Sequence, residues 1–250
     1  MQSALFDYTL RLGDTSLIIG HRLSEWCGHG PVLEQDIALI NIALDLVGQA
    51  KSFLEYAGEV EGKERDADTL AYRRLEREFR NVLLSEQPNE DFAFTIVRQF
   101  LFDAFQYPFY QRLTQSKDAQ IAAIAEKSLK EVTYHLRFSS EWMIRLGDGT
   151  AESKAKMQTA LNELWMFTGE LFEMNETDEM LIKEGIAVDL NEIKPLWEQR
   201  VSSILEEATL TQPTTTWMQS GGKKGIHTEY LGYILAEMQY LPRAYPDAKW

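Results

Sequence analysis

A carboxylate and an imidazole occur close together in "LKEVTYHLRF", residues 129–138, within a predicted helix. Four-helix bundles hold paired irons with such groups, through a Glu-x-x-His motif whose two residues are three positions apart. Here Glu131 and His135 are four positions apart, and Val132 stands three positions before the histidine. Because residues four apart still share a helix face, the spacing alone leaves open a metal site, a degenerate metal site or a polar pair.

The other histidines do not supply the missing motif. The chain has four histidines, and the positions three residues before them hold Ile18, Trp26, Val132 and Lys224. On the second predicted helix, where one motif would be expected, the sequence runs Asp45-Leu-Val-Gly48, and glycine has no side chain that binds a metal. The sequence therefore predicts no intact di-iron site and no metal in this chain. A single non-catalytic metal ion stays an open alternative.

Polar or small residues recur at helical spacing on four predicted helices that are otherwise rich in apolar residues. The four sets are His21 and Glu25; Asn41, Asp45, Gly48 and Ser52; Gln99, Asp103 and Gln106; and Glu131 and His135. Buried polar groups need partners, so we expect these stripes to face one another in a bundle core. The prediction is a polar plug at degenerate di-iron positions, with no catalytic residue; it comprises Glu25, Asp45, Asp103, Glu131 and His135. The alternative is a divergent di-metal oxidase whose own metal site uses the same five residues.

The segments that carry these residues are predicted helices, because their apolar residues recur at helical spacing and alternating strand patterns are absent. The predicted helices span about 3–27, 31–57, 66–84, 89–113, 118–147, 150–172 and 191–210, and a last one begins near Thr228. We expect Asn89 to cap its helix, Pro108 to kink it or to form a local bulge, and Gly147 to end the next. The overall prediction is an all-α, ferritin-like bundle forming a single domain over residues 1–250, with a core of about 3–147 and additional helices over about 150–250.

The composition excludes several classes of partner. The net charge of −14 disfavours binding to nucleic-acid phosphates. The single cysteine, Cys27, cannot form an internal disulfide, which suits a reducing compartment. The first residues lack the basic start of a signal peptide, and there is no run of about 18 uncharged apolar residues. We therefore expect a cytoplasmic protein that binds neither nucleic acid nor membrane.

Long blocks of the sequence resemble one known family. They are residues 8–54, "EQPNEDFAFTIVRQFLFDAF" (86–105), "KEVTYHLRFSSEWMIRLGDGT" (130–150), "KEGIAVDL" (183–190) and "GGKKGIHTEYLGYILAEMQYL" (221–241). These blocks are similar to the C subunits of bacterial phenylacetyl-CoA 1,2-epoxidases, and the likeness covers nearly the whole chain. The resemblance implies a ferritin-like helical fold.

The same resemblance implies a role in an enzyme complex. In that family the C subunit is the non-catalytic paralogue of the iron-bearing A subunit, and a small B subunit and a reductase with flavin and an iron–sulfur centre complete the complex. The complex inserts one oxygen atom of O2 into the aromatic ring of phenylacetyl-CoA during phenylacetate breakdown. We therefore expect a structural subunit with no cofactor of its own, which binds the A subunit and the B subunit, with the reductase as a further candidate partner. Isolated, it could form a homodimer.

One basic segment stands out against the acidic chain, "SGGKKGIHTEYLG" at residues 220–232. Lys223 and Lys224 precede a predicted helix start, and helix N-termini with adjacent cations favour anions. In a complex that handles a CoA ester, the CoA phosphates are a candidate anion, and His227 and Glu229 join the same segment. A contact with another subunit and a solvated basic turn are the alternatives.

Overall fold

The computed structural model describes residues 1–248, and the regular elements of these residues are helices alone. The α-helices are α1 (Gln2–Ser24), α2 (Leu33–Glu61), α3 (Ala67–Tyr72), α4 (Leu83–Glu86), α5 (Phe92–Leu113), α6 (Ala119–Gly147), α7 (Ala151–Leu164), α8 (Glu176–Lys183), α9 (Leu190–Glu207), α10 (Glu229–Met238) and α11 (Tyr240–Ala244). Short 3-10 helices span Glu76–Glu78, Trp165–Phe167, Gly169–Phe172 and Gly222–Lys224. The prediction of an all-α helical bundle is confirmed.

The described chain divides into two compact units. The first contains Met1–His29, Glu34–Gln87 and the described part of Ser220–Trp250, and the second contains Gly30–Leu33 and Pro88–Gln219. The C-terminal helices α10 and α11 thus belong with α1 to α4, whereas α7, α8 and α9 belong with α5 and α6. The single-domain assignment stays a prediction.

The first unit is built on an apolar core to which its helices contribute in turn. The core residues come from α1, α2, α3 and α10 and from the segment before α4; they include Leu17, Ile18, Leu54, Leu70, Phe79, Leu231 and Ile234. Each of these side chains is at most 5% exposed, so α10 completes the same core as the N-terminal helices. The sequence positions 17 and 231 therefore meet in one hydrophobic cluster.

The charged stretch 66–84 is not the single helix that its pattern predicts. The chain leaves helical geometry after Tyr72, forms one 3-10 turn, and becomes helical again at Leu83. The helix is interrupted because Arg74, which is 3% exposed, forms a bidentate ion pair with the fully buried Asp14 of α1. A buried arginine–carboxylate pair with parallel hydrogen bonds fixes geometry strongly, and here it outweighs helix propensity. The prediction of one helix over residues 66–84 is therefore wrong.

In the second unit, α5 packs against α6, α7 and α9. Seventeen of the 22 residues of α5 are buried, and Pro108 lies within the helix without ending it. Asp91, not the predicted Asn89, caps α5, since its side chain accepts a hydrogen bond from the Phe94 N–H at 2.9 Å. The Trp197 indole of α9 donates to the Leu101 carbonyl at 2.9 Å, which ties α9 to α5.

Helix α2 is unusually apolar for a helix with a solvent-facing side. Among the described residues it is the one helix whose length and hydropathy would suffice to cross a membrane, yet half of its most apolar stretch is buried in the fold. Core helices of soluble proteins pass the same test. On its outer side, Ile37 and Leu44 are 50% and 64% exposed. They form an apolar stripe on the first unit that the exposed Asn41 interrupts.

Candidate functional site

A fully buried acid lies at the centre of the second unit. Asp103 projects from α5 and is 0% exposed. One carboxylate oxygen accepts a hydrogen bond from the Gln99 side-chain amide at 2.7 Å, one helical turn away. The other accepts from the Ser139 hydroxyl of α6 at 2.8 Å. His135, also 0% exposed, lies one turn before Ser139 on α6, so a polar cluster spans the contact between α5 and α6.

Burial dominates the electrostatics of this cluster. It raises the pKa of Asp103 to about 7, although the charge of His135 and the hydrogen bonds from Ser139 and Gln99 act in the opposite direction. Removing a carboxylate from water disfavours its charged form more than these partners favour it. Near neutral pH, Asp103 therefore exchanges between a charged acceptor and a neutral group that can also donate.

The other predicted members of the polar plug take separate positions. Glu131 of α6 is half-buried and lies 3.8 Å from the ammonium group of Lys127, one turn earlier on the helix. Asp45 is a half-buried residue of α2, in the first unit. Glu25 directly follows α1, where its side chain is 39% exposed and pairs with Arg22 at 2.8 Å. The predicted burial of Glu25 is therefore wrong. The first helix was predicted to continue to residue 27, but α1 ends at Ser24 and Glu25 lies at the surface.

The described side chains do not fit a di-iron centre. Within residues 1–248, no three His, Cys, Asp or Glu side chains come together in a group that could hold a metal ion. Both oxygens of Asp103 instead accept hydrogen bonds, from an amide and a hydroxyl. Di-iron bundles use carboxylate and imidazole ligands from facing helices, and amides and hydroxyls are poor substitutes. The donor set around Asp103 is that of a hydrogen-bonded polar cluster.

A second buried cluster lies in the first unit, around His227. Its Nδ1 lies 3.0 Å from a carboxylate oxygen of Glu86 and its Nε2 lies 3.0 Å from the Phe79 carbonyl. The other Glu86 oxygen accepts from the Thr228 N–H at 2.6 Å. Burial lowers the pKa of His227, but the hydrogen bond and charge of Glu86 raise it more, so the net pKa lies above the ordinary value. Both ring nitrogens of His227 face acceptors, and the Thr228 N–H donates to Glu86. These contacts hold residues 227 and 228 against α4.

This cluster changes the role expected for the basic segment. Both ring nitrogens of His227 are engaged inside the protein, and the N–H of Thr228, directly before α10, faces the chain's own Glu86 carboxylate. Lys224 is exposed, Lys223 is half-buried, and Glu229 is the exposed first residue of α10. An external anion at this segment would therefore meet the lysines but not the histidine.

Several residues of these clusters could not be assigned from the sequence. Ser139 stands four positions after His135, which was the available signal, but serines are common on helices. Glu86 carries no local pattern that points to His227, since 141 residues separate them. Asp14 and Arg74 likewise meet across 60 positions. Residues that pair across so many positions produce no periodic pattern in the sequence.

Fold and site together define an all-α protein with two buried polar clusters. Asp103 is held by internal hydrogen bonds, and His227 pairs with Glu86. A family model described as Phenylacetic acid catabolic protein matches residues 1–250, and the chain belongs to this family. Among its relatives is the C subunit of the 1,2-phenylacetyl-CoA epoxidase of Escherichia coli (strain K12). The two chains are 55% identical over 243 residues, which cover 97% of this chain and 98% of the relative. The resemblance to C subunits is confirmed.

Proposed function

We propose that this chain is a non-catalytic structural subunit of a phenylacetyl-CoA epoxidase complex, and that it supports the di-iron catalytic A subunit in aerobic phenylacetate degradation. The proposal rests on 55% identity to a protein named as the C subunit of that enzyme. By the same likeness, iron belongs to the catalytic partner, flavin and iron–sulfur centres belong to the reductase, and this chain works without a cofactor of its own.

The observation that carries the non-catalytic role is the state of Asp103. Of the five residues predicted at degenerate di-iron positions, Asp103 and His135 are the two that are fully buried. A carboxylate that binds iron offers its oxygen lone pairs to the metal, whereas here Gln99 and Ser139 donate hydrogen bonds to them. The cluster therefore supports a packing role: it satisfies both oxygens of Asp103 inside a fold that the family uses elsewhere for iron.

The outer stripe of α2 supports a docking role. Ile37 and Leu44 lie on one face of α2, seven residues apart, and are each at least half exposed. Exposed apolar side chains on a chain with a net charge of −14 favour a protein interface, and Asn41 between Ile37 and Leu44 adds a polar group to it. A paralogous helical subunit would cover them with an apolar helix of its own. We assign this stripe to the catalytic subunit.

Iron analysis tests the non-catalytic role. The isolated chain is expected to purify without stoichiometric iron, and its co-purified complex with the catalytic subunit is expected to carry about two irons per pair. The Asp103→Asn substitution should leave the iron content of the complex unchanged. About two irons per isolated chain, lost in the Asp103→Asn variant, would instead establish a metal-dependent oxidase.

Affinity for the catalytic subunit tests the docking role. Ile37→Lys and Leu44→Lys are each expected to weaken association by at least about tenfold, because an interface core tolerates a buried charge poorly. Leu196→Lys is the matched control, since Leu196 is a 41% exposed leucine of α9 that stands among charged neighbours. Equal affinities for all three variants would contradict the assignment of α2.

A further inference from the structure

Residues 220–228, which lead into α10, have few side chains that anchor them to the first unit. The segment contains three glycines, Lys224 is exposed, and Ile226 is 64% exposed. The side chain of His227, by contrast, is 0% exposed. Buried apolar side chains such as Leu231 anchor α10 itself in the core of the first unit. The histidine is therefore the main side-chain attachment of the segment that precedes α10.

The ring of His227 lies between two oxygen acceptors. Its Nδ1 lies 3.0 Å from a carboxylate oxygen of Glu86, and its Nε2 lies 3.0 Å from the Phe79 carbonyl oxygen. A neutral imidazole donates from only one nitrogen, so it would direct a lone pair at one of these oxygens. The protonated ring donates to both. The geometry of the site therefore fits the imidazolium and not the neutral ring.

The Glu86 carboxylate is held in place by further donors. The Asn81 side-chain amide donates to the same carboxylate oxygen as His227, at 3.0 Å, and the Thr228 N–H donates to the other at 2.6 Å. Glu86 is fully buried, and a buried carboxylate needs such partners. The carboxylate is thus a fixed acceptor that connects α4 to the start of α10.

Charged groups from three parts of the first unit face this site. They are Glu86 of α4, Asp14 and Arg22 of α1, and Arg74 and Arg80 of the segment between α3 and α4. Asp14 forms an ion pair with Arg74, and Arg22 donates to the Glu86 backbone carbonyl at 3.1 Å. The cation that pairs with the Glu86 side chain is therefore the ring of His227.

This pairing makes the attachment of the segment depend on pH. Burial lowers the pKa of His227, but the hydrogen bond and charge of Glu86, with the Phe79 carbonyl and Asp14, raise it above the ordinary value. A raised histidine pKa gives stability that is complete below the unfolded-state value and is lost as the pH rises through the folded-state value. The attachment is therefore strongest in mildly acidic solution.

We propose that His227 is a proton-operated latch for residues 220–228. The protonated ring holds the segment against Glu86 and the Phe79 carbonyl. When the ring is neutral, the segment opens locally while α10 stays in the core. Because Lys223 and Lys224 belong to the segment, the latch determines whether these two cations are presented on a fixed or a mobile turn.

Amide hydrogen exchange of the full chain between about pH 6 and about pH 9, corrected for the intrinsic effect of pH, tests the latch. The reporting amides are those of Thr228 and of Lys224 and Ile226, which both donate to the Gly221 carbonyl, at 2.8 and 3.0 Å. Their protection should fall together by about threefold to tenfold as the pH rises, the effect of one lost hydrogen bond.

The Phe94 amide is the internal reference. It donates to the Asp91 carboxylate at 2.9 Å at the start of α5, so it reports on a helix start that is capped by a carboxylate without a histidine. Its protection should not change over the same range of pH. This comparison uses the wild-type chain alone and needs no substitution.

The variant His227→Gln removes the titrating group and keeps one side-chain donor. Protection of Thr228 in this variant should already be low at about pH 6 and should not change up to about pH 9. The matched control is His29→Gln, which changes an exposed histidine of the same unit and should behave as the wild type does. Circular dichroism verifies that each variant is folded.

Three results would overturn the proposal. The first is protection of Thr228 that does not vary with pH, or that varies equally at Phe94. The second is a loss at Thr228 that leaves Lys224 and Ile226 unchanged, since the segment would then not open as a unit. The third is a His227→Gln variant that keeps the pH dependence of the wild type. All of these measurements use the isolated full chain, so they do not depend on the proposed association with the catalytic subunit.

Discussion

Asp103 makes one contribution to the pH dependence of this protein's stability. Its folded-state pKa of about 7 lies above the ordinary 3.8, so between these values the folded chain keeps a proton that the unfolded chain releases. Stability contributed by the neutral acid is therefore full at low pH and falls as the pH rises toward 7. The upper bound on the loss is roughly 4 kcal/mol, at about 1.4 kcal/mol per pH unit of that window.

The Asp103→Asn substitution removes this titration. An amide keeps an acceptor for Gln99 or Ser139 and never carries the buried charge. We expect the free energy of unfolding of the variant, relative to wild type, to increase by about 2–4 kcal/mol between pH 4 and pH 8, measured by urea unfolding at a series of pH values. The matched control Asp148→Asn changes an exposed aspartate just past α6. A relative stability that does not vary with pH would contradict the buried-acid interpretation.

Some residues of the site could be predicted from the sequence and others could not. The stripe Gln99–Asp103–Gln106 follows helical spacing, and its burial on α5 is as expected. The prediction that Glu25 is buried failed because it depended on where α1 ends, and helix ends are the least reliable part of a helix prediction. Glu86 and His227 could not be paired at all, since hydrogen bonds across 141 positions follow from tertiary packing alone.

At the scale of elements, the turn before α10 is constrained both by backbone conformation and by crowding. Gly225 has φ = +77°, and a Cβ there would clash with the Arg77 carbonyl oxygen. Gly62 has a similar φ of +70°, but a Cβ there meets nothing within 4 Å. The two glycines thus separate the effect of backbone conformation from the effect of crowding.

We expect Gly62→Ala to lower the free energy of unfolding by about 1–2 kcal/mol, the penalty of a left-handed conformation. Gly225→Ala should lose about 1–3 kcal/mol more, because the segment must shift away from Arg77. Hydrogen exchange of the Thr228 amide, which donates to Glu86, should accelerate in Gly225→Ala alone. Equal losses in the two variants would show that residues 222–225 are not held closely against the first unit.

The elements also show why long helices were predictable and short ones were not. α5 and α6 begin and end within three residues of their predicted limits, because several turns of apolar periodicity identify a buried face. α8 has eight residues and was not predicted. The stretch 66–84 has helical composition, yet the buried contact of Arg74 with Asp14 breaks it. A single long-range ion pair can outweigh the small per-residue preferences of a short charged segment.

At the scale of the whole molecule, charge determines how partners approach. With a net charge of −14, the chain repels anionic ligands over most of its surface, and its contacts with acidic partners require local cations. Lys223 and Lys224 supply such cations on a segment that Glu86 and His227 hold in place. Because Glu86 holds residues 227 and 228, less backbone entropy is lost when this segment binds an anion.

We therefore predict that Lys223→Glu combined with Lys224→Glu weakens either CoA-ester affinity or subunit association in the assembled complex by about tenfold, and that the loss shrinks at high salt. The matched control is Lys183→Glu with Lys194→Glu, exposed lysines of α8 and α9, which alters the net charge by the same amount. Titration calorimetry with a CoA ester and co-purification with the catalytic subunit separate the two possibilities. If the test and control variants lose affinity equally, net charge alone is responsible for the loss and the segment around Lys223 makes no contact. If neither variant loses affinity, the segment makes no contact and net charge has no effect either. A loss confined to the Lys223 variant identifies this segment as the contact, because everything else about the two chains' charge is matched.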